Sequence, residues 1–334
     1  MKALVQDRYV SAKGVVHIED VEMPVVEDDE VLVRVRAASA TMYDWDLPAI
    51  VQSIGRMTVR FRKPKAHVPG LDFAGEVEAV GKDVTKFPPG GAVFGWSKGA
   101  LAEYLSVTED ALAVKPTSVS FAEAATIAVA GLTALKALRK GQVESGHHVL
   151  VVGASGGVGT FAVQLAKALG ADVTGVSSTK NLDLVRSLGA DHAIDYTKED
   201  FTRGGPRYDV ILDMAGNHSL SDLRRALRPH GTLVMVGQAG IPTSEQSWFK
   251  SLSRWLRAAV WSAFIDQRLV ALILQTRSQE KDLQEDLAAL KDFIEAGKLT
   301  PIITATYPLS EAPQAIKRLE EGHGQGRVVI ELSV

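Results

Sequence analysis

Val149-Leu-Val-Val-Gly-Ala-Ser-Gly-Gly-Val-Gly159 joins a short, wholly apolar run to a helical one, Thr160 to Leu169. An apolar strand, a glycine-dense turn and a helix in that order form the dinucleotide-binding fingerprint. In the six-residue frame Ala154–Gly159, Ala154 replaces the first glycine. Gly156 keeps the place where backbone approaches a phosphate, and Gly159 the place where helix packs closely on strand. A helix N-terminus offers unpaired N–H groups and the positive end of a dipole, and both favour an anion. Ala154, Ser155, Gly156, Gly157 and Val158 are therefore candidate pyrophosphate contacts.

The same rhythm continues on both sides of the loop. Downstream, Asp172–Val176, His192–Ile194, Val210–Asp213 and Thr232–Val236 read as short strands, with a helix at Leu182–Leu188 closed by Gly189. Upstream, Phe121–Lys140 reads as one Ala- and Leu-rich helical run closed by Gly141. Short apolar strands alternating with helices predict a parallel sheet covered on both faces. Residues 1–115 read differently. Val31–Ala37 alternates apolar and polar residues, and Gly75–Val80, Ala92–Phe94 and Ala102–Val107 follow at short spacing, with a Pro-Pro-Gly-Gly turn at 88–91. After an amphipathic helix at Asp282–Ala296, the tail from Thr300 sets two strand-like runs around a helix at Glu311–Glu321. That tail matches the strand-rich beginning. The expected layout is α/β: a doubly wound domain at 122–279 set into a strand-rich domain made of 1–121 and 280–334.

The second strand bears on which dinucleotide binds. A site for NAD places Asp or Glu at the end of that strand to accept from the ribose 2′-hydroxyl. Here the chain reads Gly175-Val-Ser-Ser-Thr-Lys-Asn181, with no acid. Ser177, Ser178 and Lys180 offer donors and a cation, which suit the 2′-phosphate of NADPH, and Tyr196 after the third strand adds a hydroxyl. Each hydrogen bond to a charged group contributes ~1.5–3 kcal/mol. NADPH is the expected cofactor.

Composition narrows the classes further. The 334 residues suffice for about two domains. Lys plus Arg number 37 against 40 Asp plus Glu, a net charge of -3, which argues against a nucleic-acid binder dependent on basic excess. There is no cysteine, so no disulfide, thiol nucleophile or thiolate metal ligand exists. The eight histidines are scattered, with no i, i+4 pair. No stretch has the ~18 consecutive apolar residues of a membrane span, and MKALVQDRYV reads as a first strand rather than a signal peptide. A soluble, cytoplasmic protein is expected, without stable membrane insertion.

Several separated runs occur in order: the AxxGGVG loop, FAEAATIAVAGLTAL at 121–135, PGLDFAGEV at 69–77, VGKDV at 80–84 and GRVVI at 326–330. Together they resemble the zinc-independent, quinone oxidoreductase-like branch of the medium-chain dehydrogenase/reductase superfamily. The resemblance covers nearly the whole chain. It implies a Rossmann domain inserted in a GroES-like catalytic domain. It also implies further cofactor contacts at Thr133, Gly216, Asn217, Gly237 and Arg327, the last near the nicotinamide, and a homodimer paired near Arg268–Gln275. Zinc-dependent relatives carry Cys where this chain has Thr41 and His-Glu where it has Leu71-Asp72. Leucine ligates no metal, so no zinc is expected. Without a Lewis acid, the chemistry favours small-molecule acceptors, bulky apolar ones included, whose electrons are already easy to shift: quinones or α,β-unsaturated carbonyls. The run Ala38–Trp45 matches the family's substrate-side loop, which makes Tyr43 a candidate proton donor or pocket wall. Thr41-Met42 departs from the usual Asn-Pro at the family's polar substrate contact, with Thr41 a candidate residue on the substrate side.

Trp248, Phe249, Leu252, Trp255 and Leu256 fall near helical spacing with Lys250, Arg254 and Arg257 between them. They suit a substrate lid, a dimer contact or a membrane-surface helix. The loss of Asn-Pro also leaves room for an NADPH-binding sensor with weak catalysis, or for a zinc-free alcohol/aldehyde oxidoreductase.

Overall fold

The computed structural model describes residues 1–6, 16–40, 67–236, 258, 265–272, 282–320 and 326–332. The chain divides into two compact units. One comprises Met1–Val129, Glu280–Gly297 and Pro301–Val334; the other comprises Ala130–Gln279 and Lys298–Thr300.

The first unit opens with β1 (Lys2–Gln6), β2 (Val16–Asp20), β3 (Glu30–Ala40), β4 (Asp72–Val80), β5 (Ala92–Trp96), β6 (Tyr104–Thr108) and β7 (Leu112–Val114). β3 is the axis of its larger sheet, antiparallel to β4 and β6. Two register shifts interrupt the β3–β4 ladder, at Leu32/Val33 and Val35/Ala37; such bulges bend a sheet and strengthen its twist. The expected wet face of Val31–Ala37 is narrow. Only Arg34 and Arg36 reach partial exposure while their apolar neighbours are buried, because β3 is covered along most of its length.

Helix α1 (Phe121–Ala124) starts at a capping box, in which Ser120 accepts from the Glu123 amide and Glu123 accepts from the Ser120 amide. The single helical run expected over 121–140 is broken here, and α2 (Ala128–Gly141) begins afresh. Two side chains account for the break. Thr126 Oγ1 donates back to the Glu123 carbonyl at 2.8 Å, and the buried Asp72 carboxylate accepts the Val129 amide at 2.6 Å. A carboxylate at the first turn also satisfies the helix dipole.

The second unit carries β8 (His148–Val152), α3 (Gly157–Ala168), β9 (Asp172–Ser177), α4 (Leu182–Ser187), β10 (His192–Asp195), β11 (Tyr208–Asp213), α5 (Leu220–Ala226), β12 (Leu227–Val236) and β13 (Arg268–Leu272). Its sheet runs β10-β9-β8-β11-β12-β13, every pair parallel. Counting from β8, this is the 3-2-1-4-5-6 order of the doubly wound dinucleotide fold. Leu150, Ile211 and Leu233 are fully buried in its core with Tyr208 and Leu223. The strands read as unbroken apolar runs because both faces are covered.

The chain then returns to the first unit with α6 (Leu283–Glu295), β14 (Ile303–Pro308), α7 (Ala312–Glu320) and β15 (Arg327–Glu331). β15 adds antiparallel to β3, and β14 parallel to β15. The tail thus completes the sheet that residues 30–114 began. Among the described residues, no helix is long and apolar enough to cross a membrane.

Candidate functional site: the glycine loop and the strand ends beside it

The strand order of the second unit reverses between β8 and β11, and ligands of such sheets bind outside the carboxyl ends of the strands at that point. The glycine loop leaves β8 there. Gly153 sits at φ +87°, a conformation costly for other residues. Its amide and that of Ala154 both donate to the Val176 carbonyl, at 3.1 and 3.0 Å, strapping the loop to β9. The tight turn is therefore made by Gly153, one residue ahead of the six-residue frame, and this is why Ala154 is accommodated. Gly156 is the extended N-cap of α3. A Cβ on Gly159 would lie 2.1 Å from the Gly153 carbonyl oxygen, so helix and loop meet at backbone contact. The amides of Gly157, Val158 and Gly159 occupy the first turn of α3, where a helix has no acceptors of its own to give. Donor-rich, uncluttered backbone at a helix N-terminus fits a pyrophosphate.

A second group of side chains collects beside this loop. Asn181 Nδ2 donates to Ser155 Oγ at 2.9 Å, tying the glycine loop to the segment after β9. Ser177 is buried at the end of β9, Ser178 occupies the extended position before a short 3-10 turn at Thr179–Asn181, and Lys180 is exposed. The Tyr196 amide donates to the Ser177 carbonyl at 3.1 Å, and its side chain is 53% exposed. Ser155, Ser177, Ser178, Lys180 and Tyr196 thus share one edge of the sheet.

That edge also holds an acid that the reading of β9 alone missed. Asp195 ends β10 and is the Cα partner of Ser177 across the parallel ladder. Its Oδ2 accepts from Thr179 Oγ1 at 2.5 Å, and its Oδ1 accepts from Thr197 Oγ1 at 2.7 Å and the Thr197 amide at 3.0 Å. The Thr179 hydroxyl foremost, then that of Thr197, hold the carboxyl down to about 2. The absence of an acid in Gly175–Asn181 is therefore not the absence of an acid at that edge. Only the strand register could have revealed it.

Across the switch point, the buried Asp213 carboxylate accepts the Gly216 amide at 2.8 Å and so shapes the turn after β11. Gly216 lies at φ +64°, and Asn217 is exposed. Thr133 is buried within α2. In the first unit, Arg327 opens β15 as a buried residue, not as a solvated strand cation. Its guanidinium pairs with Asp72 and donates to Ser39 Oγ at 2.7 Å. Ser39 in turn donates to Asp72 at 3.1 Å. Thr41, Tyr43, Gly237 and the tryptophans at 248, 255 and 261 lie outside the described residues. Among the described residues, no three His, Asp or Glu side chains cluster so as to hold a metal ion.

A doubly wound unit with this loop, together with a separate strand-rich unit, defines an oxidoreductase architecture of two domains, and the comparisons agree. Residues 27–117 match the model described as "Alcohol dehydrogenase GroES-like domain" and residues 188–330 the one described as "Zinc-binding dehydrogenase". The chain is 32% identical to the chloroplastic quinone-oxidoreductase QR1 of Triphysaria versicolor, covering 99% of this chain and 98% of the relative. It is 33% identical to the 2-methylene-furan-3-one reductase of Solanum lycopersicum, covering 99% and 79%. The crystal structure of the Pseudomonas syringae pv. Tomato DC3000 quinone oxidoreductase superposes with a TM-score of 0.82 at 27% identity, covering 99% of this chain and 100% of that one. The chain belongs to the medium-chain dehydrogenase/reductase superfamily, among its quinone-oxidoreductase-like members.

Proposed function

We propose that this protein is an NADPH-dependent, zinc-independent reductase that delivers a hydride to a quinone or to the β-carbon of an α,β-unsaturated carbonyl. The observation that carries the cofactor choice is the edge formed by Ser177, Ser178, Lys180 and Tyr196, where donors and a cation stand at the end of β9 in place of a carboxylate. The substrate class rests on the relatives named for quinone and 2-methylene-furan-3-one reduction, and on ligand chemistry. The chain has no cysteine, and Leu71 stands where a zinc ligand would be needed.

A bound nicotinamide supplies the hydride. The amides of Gly157 and Val158 and the N-terminus of α3 hold the pyrophosphate. Asp213 fixes the Gly216 turn beside it. Ser177, Ser178, Lys180 and Tyr196 take the 2′-phosphate, with Thr133, Gly216, Asn217 and Gly237 as further contacts. On the substrate side, the family resemblance assigns Thr41 and Tyr43 to the acceptor, and the proton that completes reduction would come from solvent or from Tyr43. Most of the acceleration is then positioning and exclusion of water.

The deciding experiment follows NADPH oxidation at 340 nm against a panel of quinones, enals, enones and saturated aldehydes. Turnover is expected with quinones or enones and not with saturated aldehydes. Silence across the panel with NADPH binding intact would overturn the reductase assignment and leave a cofactor-binding protein.

A further inference from the structure

The acid at the end of β10 is the least expected group at the proposed cofactor edge. Asp195 stands one strand away from the position where a ribose-binding acid belongs, in register with Ser177. Neighbouring strands lie only ~4.8 Å apart, and the Asp195 carboxylate in fact reaches the segment after β9, where Thr179 Oγ1 meets it at 2.5 Å. Its carboxylate therefore sits beside the segment after β9 that the proposed ribose site uses.

Its acceptor capacity is largely occupied. A carboxylate has about four lone-pair directions. Three hydrogen bonds reach it, from the Thr179 hydroxyl and from the hydroxyl and amide of Thr197. Lys198 Nζ adds an ion-pair contact at 3.5 Å to the same oxygen that Thr179 binds. The two threonine hydroxyls are themselves 3.1 Å apart. Both threonines are exposed at this edge while Asp195 is buried behind them. An acceptor in this state has little left to offer a ribose diol.

We propose that Thr179 is a specificity-determining residue: its hydroxyl occupies Asp195 Oδ2 and so keeps a latent NADH-type acid from reading the cofactor ribose. This rests on the reading of the β9 and β10 ends as the adenosine-ribose site. It differs from that reading in naming which residue withholds NADH binding, whereas Ser177, Ser178 and Lys180 only favour NADPH. The hydrogen bond that Thr179 makes is charge-assisted, and bonds of that kind are the strong ones. Its removal therefore frees a correspondingly strong acceptor for the ribose 2′-hydroxyl.

The test is a mutant cycle read by fluorescence titration of NADPH and NADH against the full chain, with melting temperature recorded for each variant. Thr179→Val keeps the β-branched shape and removes the donor. It is expected to tighten NADH binding and to lower the preference for NADPH over NADH about tenfold, equivalent to ~1.4 kcal/mol. Thr179→Ser restores a hydroxyl and is expected to restore the wild-type preference. In Thr179→Val/Asp195→Asn the gain in NADH affinity is expected to vanish, because an amide cannot replace the charged acceptor. An unchanged preference in Thr179→Val, or an NADH gain that survives Asp195→Asn, overturns the proposal. Should Thr179→Val melt far below wild type, Thr179→Ala read against Thr179→Ser decides by the same criterion. A wild type that binds neither nucleotide would overturn both this proposal and the cofactor reading. A wild type that prefers NADH would overturn only the NADPH assignment, since the direction of the change on losing the Thr179 hydroxyl still decides the role of that residue.

Discussion

Lys180 is the exposed cation at the end of β9, and the choice between the two nucleotides turns on charge at that edge. Lys180→Glu replaces an attraction to a 2′-phosphate by a repulsion. NADPH affinity is expected to fall at least tenfold, about 1.4 kcal/mol, with NADH affinity changing much less; titration of both nucleotides checks it, and an unchanged ratio would remove Lys180 from the site. Asp195 carries a second expectation, about acid stability. Its carboxyl lies below its ordinary value of 3.8, at about 2, held there first by the Thr179 hydroxyl and then by Thr197. A carboxyl depressed in the folded state contributes stability that is complete above the unfolded value. That contribution is lost as pH falls from about 4 through about 2. In Asp195→Asn, the acid limb of melting temperature against pH is expected to be shallower over that window. A limb identical to wild type would show that the threonines do not hold the carboxylate in solution.

At the scale of elements, the junction of β8 and α3 is set by two glycines with different duties. Gly153 provides the left-handed turn, and Gly159 permits backbone contact. Gly159→Ala puts a methyl 2.1 Å from the Gly153 carbonyl oxygen. Overpacking of this kind costs about 1–3 kcal/mol, and because the displaced group is the loop itself, cofactor binding is expected to fall together with stability. Denaturant unfolding and NADPH titration of the same variant measure both. Glycine spacing made this element legible in sequence. The break between α1 and α2 was not legible, since residues 124–129 run Ala-Ala-Thr-Ile-Ala-Val with neither glycine nor proline. It is set by Thr126, which bonds back to the Glu123 carbonyl, and by Asp72, a residue far away in the chain, which takes the Val129 amide and pairs with Arg327. Asp72 is fully buried and Arg327 nearly so. Asp72→Asn would remove the carboxylate charge that pairs with the buried Arg327 guanidinium, and breaking such a pair from one side costs ~3–5 kcal/mol. Urea unfolding is expected to show a loss in that range. Long-range partnerships of this sort leave no periodic trace in sequence, and the Asp195–Thr179 contact is another, since it depends on how two strands align.

At the scale of the molecule, the order of strand and helix runs was readable because a two-sided parallel sheet makes its strands short and apolar, whereas the strand-rich unit announces itself by turns and alternation. The return of the tail was readable because β14 and β15 repeat that second rhythm. Which ends of which strands gather into a site followed from the 3-2-1-4-5-6 order, not from spacing. The remaining large-scale question is metal, since one matching model is described as a zinc-binding dehydrogenase. The residues of this chain argue the other way. A structural zinc site of cysteines cannot form in a sequence with none. At the Leu71-Asp72 position, the single residue able to ligate is Asp72, and it is already committed to Arg327, Ser39 and the Val129 amide. Drawing Asp72 to a cation would take it away from the Val129 amide and break its ion pair with Arg327. Exhaustive dialysis against a zinc chelator is therefore expected to leave the rate of NADPH oxidation with the best acceptor, and the melting temperature, unchanged. Elemental analysis of the purified protein is expected to find zinc far below one ion per chain. Loss of activity on dialysis that returns on adding zinc would overturn the zinc-independent mechanism, and with it the restriction to acceptors that need no Lewis acid.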